Sequence, residues 1–387
     1  MSATIAWTEV DTRSLAESLN LQRDANRLTN GDLILTTPGL VNDSTISNLA
    51  STDGGLTWNI RSSISAPNTV IACRALHIPP NTLVIAYTYS ASGGTQFARS
   101  TDAGGTWSNT QFITDPGTGI TAAASPQAFA GYSHGEAIAT GNFMGVSTNQ
   151  NAQVIKSTGQ GSSWGSGAVI ANRPNAIGGR GIINTSGGIW FAGVAGADRL
   201  FAPPVNLPLI YKSTDAGASW SPVGATVPLQ LANILNLQPS IEIFMAFTDQ
   251  ILIGAGGRQN VITGDGVFLY RSTNGGSSWT HMSPSDVSGL SGSNPQVVFL
   301  QGRRITASWA IIGFGGSTAQ TQPPWRHTSD AGLTWNNTGE SGIPSYPNTA
   351  QIKARFLITD GPAIIAFVKN TTGSPSTLRI ARGIITC

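Results

Sequence analysis

Ser51-Thr-Asp53-Gly-Gly55-Leu-Thr57-Trp58 is the stretch on which the fold turns, because it returns along the chain. It recurs as Ser100-Thr-Asp102-Ala-Gly104-Gly-Thr106-Trp107 and, with the acid lost, as Ser157-Thr-Gly159-Gln-Gly161-Ser-Ser163-Trp164. Three more copies follow: Ser213 to Trp220, Ser272 to Trp279 and Thr328 to Trp335. Successive tryptophans lie 49, 57, 56, 59 and 56 residues apart. A period of that size marks a repeat architecture in which each repeat is one supersecondary unit. Each copy lies between two β-rich runs and reads as a hairpin turn. The acid (Asp53, Asp102, Asp215, Asp330, with Asn274 in its place once) is expected to accept hydrogen bonds from backbone N–H groups two or three residues on. The glycine two residues later supplies a left-handed backbone, and the Ser or Thr hydroxyl a second local bond. The tryptophans Trp58, Trp107, Trp164, Trp220, Trp279 and Trp335 suit wedging between sheets. Gly159 has no acceptor, so the third turn must rely on its glycines.

Ahead of each box stands a turn and a strand, beginning at Asn30, Pro80, Ser133, Ser186, Thr248 and Gly302. A seventh such unit begins at Thr359 and runs through Ser376–Arg382 to Cys387 without a box. The N-terminal run Thr4-Ile-Ala-Trp7-Thr-Glu-Val10 looks like the strands that follow boxes, with Trp7 standing for a box Trp. Pairing it into the last unit would close a ring and remove two sheet edges.

The eight-residue stretches match the Asp-box, and the chain resembles the Asp-box (BNR-type, sialidase-like) β-propellers. That family includes sialidases, xyloglucanase-type glycoside hydrolases and non-enzymatic propellers. The resemblance implies an all-β fold and makes the box a structural turn on the face away from family active sites. The expected architecture is one seven-bladed β-propeller of four-stranded antiparallel blades over residues 1–387. Residues 1–10 form the closing strand, 11–25 a linker (13–22 a short helix or extended) and 26–387 the seven blade units. A six-bladed ring with an irregular tail is the alternative.

Charged residues make up 10% of the chain, the net charge is +2, and Lys156, Lys212, Lys353 and Lys369 are the only lysines. Nothing in that balance points to nucleic acid or an anionic membrane. Cys73 and Cys387 are too few for a disulfide framework and are expected as thiols. His77, His134, His281 and His327 lack metal spacing, and His134 and His327 are expected at the surface. No glycine-rich loop opens a helix after a strand, so no cofactor is expected. The N-terminus lacks a basic region followed by an apolar core, while the Gly/Ser/Thr/Asn-rich composition suits an extracellular setting. A virion component, made in a host cytoplasm and working outside, reconciles the two; an extracellular or a cytoplasmic protein is the alternative.

Long loops between second and third strands carry the binding candidates Phe143, Arg199, Phe201, Arg258, Asn260 and Phe314. Aromatic faces with amides and guanidinium groups suit a sugar's faces and hydroxyls. For an enzyme, the resemblance to sialidases directs attention to Arg27, Glu242, Tyr346 and Arg355, with Arg74, Arg180, Arg258 and Arg303 the other arginines near the channel. The family's early Arg-Ile-Pro motif is replaced by Arg27-Leu28-Thr29, and Tyr346 lacks an evident Glu partner. A pair of carboxylates across a cleft has no motif among Asp24, Asp43, Asp115, Glu136, Asp198 and Glu242. The sequence therefore reads as a non-catalytic binding or structural propeller, a phage virion surface or tail-associated protein whose partner is a host glycan or neighbouring virion subunits, a homo-oligomer among them. The alternative is a glycoside hydrolase of sialidase-like type.

Overall fold

The computed structural model describes residues 4–15, 24–90, 94–114, 125–131, 137–142, 151–157, 159–164, 168–172, 177–185, 188–195, 210–223, 240–258, 266–282, 297–316, 325–341, 353–360, 363–370 and 376–386. Among them every regular element is a strand. The first sheet is β2 (Asp24–Arg27), β3 (Leu33–Pro38), β4 (Thr45–Ser51) and β5 (Asn59–Ser65), in that order. The second is β6 (Val70–Ile78), β7 (Thr82–Tyr89), β8 (Gly94–Ser100) and β9 (Ser108–Thr114). The third is β10 (Ser125–Gly131), β11 (Ala137–Asn142), β12 (Asn151–Ser157) and β13 (Ala168–Asn172).

Two further groups follow. One is β14 (Ile177–Asn184), β15 (Trp190–Ala195), β16 (Ile210–Ser213) and β17 (Ser221–Pro222). The other is β18 (Ser240–Ala246), β19 (Leu252–Arg258), β20 (Gly266–Ser272) and β21 (Thr280–His281). A single pair, Ala195 with Ser240, links these two groups. The next sheet is β22 (Val297–Arg304), β23 (Ala310–Gly316), β24 (Trp325–Thr328) and β25 (Asn336–Asn337). The last holds β27 (Lys353–Asp360), β28 (Ala363–Asn370) and β29 (Ser376–Thr386). Every ladder within these groups is antiparallel.

The chain's first strand, β1 (Thr4–Leu15), is the fourth strand of that last sheet and pairs antiparallel with β29. A short β26 (Gly339–Ser341) then covers the far edge of β1 in parallel. The expected boundary at residue 10 is wrong. The strand runs on to Leu15, and β2 begins at Asp24, so residues 11–15 and 24–25 of the expected linker are strand. The physical reason is Leu15, which is buried with Leu33 and Leu35 of the first sheet and Leu378 and Ile380 of the last. Only 16–23 of the expected linker lie outside the described residues.

The first strands of the sheets lie side by side in succession: β2 by β6, then β10, β14, β18, β22, β27, and β27 beside β2 again. Strands β3 and β4 are buried along their whole length, while β5 is mostly exposed. That gradient is expected when a sheet's inner strands are covered on both faces by neighbours. The apolar clusters straddle sheets accordingly. Met245, Phe247, Ile253 and Leu269 meet Ala310, Ile312 and Trp335 of the next sheet. Ile5 and Trp7 meet Ile311 and Trp325 of the sheet before, with the Trp7 and Trp325 rings 5.8 Å apart.

His327 is not at the surface as expected. It is buried, its Nδ1 2.9 Å from Thr338 Oγ1 and its ring stacked 5.1 Å from Trp309. Thr338 lies just past β25, and Trp309 ends the turn before β23. Their closure over the strand covers a side chain that sequence alone leaves exposed. His134 lies outside the described residues. Cys73 is buried, and Cys387 lies outside the described residues.

Candidate functional site

Four of the described carboxylates, Asp53, Asp102, Asp215 and Asp330, lie in the boxes. Asp53 Oδ1 accepts from Leu56 N at 3.0 Å, Thr57 N at 2.9 Å and Ser51 Oγ at 2.8 Å, and Oδ2 accepts from Thr57 Oγ1 at 2.6 Å. The bonded backbone groups are three and four residues on, one farther than the sequence reading placed them. Asp102, Asp215 and Asp330 repeat the pattern with Thr106, Ser219 and Thr334. Asn274 keeps it: Oδ1 accepts from Ser278 N at 2.9 Å and Nδ2 donates to Ser278 Oγ at 2.8 Å. In the acid-less third turn, Gly161 N still donates to Ser157 Oγ at 2.9 Å.

These bonds favour the ionised form. The Thr57 hydroxyl, then its N–H, hold the Asp53 carboxyl down at about 2, and the Thr106 N–H does the same to Asp102, also about 2. Asp215 is lowered chiefly by the Ser219 hydroxyl. At Asp330 partial burial pushes upward, but the bonds from Thr334 and Thr328 outweigh it. Carboxylates so depressed are poor proton donors or acceptors near neutral pH. They serve the turn.

Each turn also requires two successive left-handed residues. Gly54–Gly55, Ala103–Gly104, Gln160–Gly161, Ala216–Gly217, Gly275–Gly276 and Ala331–Gly332 all have positive φ. At the second position a side chain has no room. A Cβ on Gly55 would overlap Ile365 of the last sheet, and one on Gly276 would overlap Phe191 of the sheet before it. Four boxes are thus pressed onto the sheet before, through Gly55, Gly161, Gly276 and Gly332. Arginines on third strands tie the same seam. Arg99 donates to Gln160 O at 2.8 Å, Arg271 to Ala331 O at 3.3 Å and Arg382 to Gly54 O at 3.0 Å. The last joins residues 328 apart in sequence, on the last and first sheets.

The boxes lie at the same end as the turns between first and second strands. Ala103 N donates to Asn81 O, Gly275 N to Gln250 O and Ala331 N to Ser308 O. At the opposite end the first strands carry β-bulges. They leave Ile71 on β6, Gln127 on β10, Glu242 on β18 and Val298 on β22 without a cross-strand partner. Larger ones leave Gly179–Gly181 on β14, with Arg180 at the centre, and Arg355 and Phe356 on β27. The ladders between second and third strands have no such shift.

A common register locates these residues. Ala137, Trp190 and Leu252 pair with the first residue of a box, and the next residues, Ile138, Phe191 and Ile253, pair back to Ala130, Ile183 and Met245. In the last sheet Ile365, which receives Gly55 as Ile253 receives Gly332, pairs with Ile358. Gln127, Arg180, Glu242 and Arg355 each precede one of these four reference positions by three residues. They share one level of four first strands.

Of the enzyme candidates, Glu242 and Arg355 are brought to this level. Arg27 is not: it is exposed at the turn end of β2, opposite Leu33. In the shared register that is four residues from the bulged level, or about 13 Å at the rise of a strand. Arg258 closes β19 opposite Gly266, and Phe314 sits on β23 opposite Leu300. Phe143, Arg199, Phe201, Asn260 and Tyr346 lie outside the described residues. Gln127 was not among the candidates read from the sequence, and Arg180 had only a place among the arginines. Its flanking glycines, Gly179 and Gly181, were the available signal for an irregular strand.

No family model and no curated protein matches the chain. Solved structures do. The Trypanosoma rangeli sialidase in complex with the inhibitor DANA matches with a TM-score of 0.55 at 14% identity, over 86% of this chain and 56% of that one. A GH74 xyloglucanase from Xanthomonas campestris matches with 0.53 at 13%, over 96% of this chain and 55% of that one. A protein of unknown function from Dyadobacter fermentans matches with 0.52 at 13%, over 100% and 98% of the two chains. The chain therefore spans just over half of either enzyme, and the fold is a sialidase-like β-propeller.

Proposed function

We propose that the chain is a closed seven-bladed propeller that binds a glycan, without cleaving it, at the end of the blades away from the boxes. Seven successive first strands touching in a cycle, with β1 completing the last sheet, support the closure. One observation carries the functional reading. The conspicuous acids are bound within their own turns, while bulges gather Gln127, Arg180, Glu242 and Arg355 at the other end. Binding sites favour such ends of rigid scaffolds. A virion surface or tail-associated role, with a host glycan or neighbouring subunits as partner, fits the low-charge composition.

The second reading is a glycoside hydrolase of sialidase-like type. It is favoured by Glu242 and Arg355 sharing one level, and by a sialidase and a xyloglucanase standing among the similar structures. A glycan array run beside a panel of aryl glycosides, an aryl sialoside included, separates the two. The binding reading expects array signal and no turnover. Chromophore release that Glu242→Gln abolishes would replace it with the hydrolase.

A further inference from the structure

We infer that the ring opens first at the seam between the β22–β25 sheet and the last sheet, where β1 and β26 form its clasp. The inference rests on the closed-ring reading and adds where that ring gives way. One register recurs among the sheets. A buried apolar residue on a second strand pairs with a basic residue on the third: Val84 with Arg99, Phe191 with Lys212, Ile253 with Arg271 and Ile365 with Arg382. These four apolar residues lie against a glycine of the next sheet's box, Gly161, Gly276, Gly332 and Gly55 in turn. Arg99, Arg271 and Arg382 also donate to a carbonyl of that box, Gln160 O, Ala331 O and Gly54 O. In the first sheet Ala50 holds the basic position, and Arg61 on β5 reaches Ala103 O of the second box at 3.0 Å instead. Backbone packed directly on a side chain, with a charged donor beside it, ties two sheets both sterically and directionally.

The β22–β25 sheet has the same pair with no box to receive. Ile311 pairs with His327, but the seventh unit carries no box. Every other seam has one; after β13 it is Ser213 to Trp220, with Ala216 and Gly217 left-handed as in the other boxes. Ile311 is buried instead with Ile5 and Trp7 of β1 and Ile364 of β28. His327 occupies the basic position, and it meets Thr338 and Trp309 of its own unit. Thr338 leads into β26, whose three residues run parallel along Thr4, Ile5 and Ala6. Apolar packing and this short ladder close the seam. Apolar packing has no preferred direction, and a short ladder at a sheet edge belongs to the low end of local stability. Parting there uncovers Trp7 and Trp325 and frees the far edge of β1 for another strand.

The test is thiol labelling of the folded full chain in a Cys73→Ala, Cys387→Ser background, with one cysteine added at a time. Ile311→Cys reports the seam in question, while Val84→Cys, Ile253→Cys and Ile365→Cys report seams that hold a box. All four side chains are fully buried, so an aromatic disulfide reagent reaches them only through an opening. Ile311→Cys should react at least about tenfold faster than the other three, the margin set by one hydrogen bond to a charged group. Ile364→Cys, equally buried on the opposite wall of the same seam, should match it and serves if Ile311→Cys does not fold. Thermal melting of each variant checks that labelling is read on folded chain. Equal rates at the four positions, or the fastest rate at Ile365→Cys, overturn the inference and leave the closed ring standing. If Ile311→Cys and Ile364→Cys react as fast as free cysteine, the closed-ring reading falls and the inference falls with it.

Discussion

Asp53→Ala removes one acceptor from four donors: Leu56 N, Thr57 N, Thr57 Oγ1 and Ser51 Oγ. Hydrogen bonds to a charged group contribute about 1.5–3 kcal/mol each when shielded. This turn is exposed, and water replaces the carboxylate at the two N–H groups, so about 0.5–1 kcal/mol per bond is the appropriate scale. The expected loss over the four bonds is then about 2–4 kcal/mol. Asp53→Asn is the control, because Asn274 already performs the role with its amide. It keeps the Oδ1 acceptor and turns the Thr57 hydroxyl into an acceptor, so the loss should stay near or below about 1 kcal/mol. Urea unfolding measures the global cost, and amide exchange at Leu56 and Thr57 measures the local one. Both amides should lose protection in the alanine variant and keep most of it in the asparagine variant. Equal destabilisation by the two substitutions would refute the reasoning, since it would make charge rather than acceptor geometry the cause.

Three further outcomes follow from the same geometry. Gly159→Asp should stabilise by about 1 kcal/mol in urea, by giving Ser163 the acceptor that Asp102 gives Thr106 and by restricting the unfolded chain; Ser162 Oγ must rotate to admit the new Cβ. Asp53 and Asp102 titrate at about 2 in the folded chain against an ordinary 3.8, so their contribution is present above pH ~4 and lost as pH falls toward 2; urea midpoints at pH 5, 3 and 2 should fall in that order, less steeply in the Asp53→Asn, Asp102→Asn double variant. Trp7→Ala, which empties the space against Trp325 and Ile311, should cost about 3–5 kcal/mol, read as a lowered thermal midpoint.

Much of the fold was legible because the boxes are local. Their acid, glycine and Trp act within eight residues, so a turn can be read from them directly. The first of the two left-handed residues was not legible, since Ala103, Ala216 and Ala331 carry no sign of positive φ. Those alanines are held there by tertiary contact, as when Ala331 N donates to Ser308 O and its own carbonyl takes Arg271. The extension of β1 to Leu15 was hidden for a similar reason: its partners, Leu33 and Leu378, come from two different sheets. Trp7 was legible as a clasp because it mimics a local motif. The candidate site was the least legible part. A β-bulge is a property of a ladder between two strands, and neither strand's composition declares it. Glu242 and Arg355 were singled out one by one, but their common level with Gln127 and Arg180 exists only in the register.

The ring closure proposed above depends on the first and last sheets being held together through β1, which pairs with β29 and packs Leu15 against both. The direct measurement is thermal unfolding of a chain lacking residues 1–15, with and without a synthetic peptide of residues 4–15. The account predicts a large drop in midpoint on truncation, and recovery when the peptide is added, saturating with its concentration. A truncated chain that melts as the full one does, indifferent to the peptide, would contradict it.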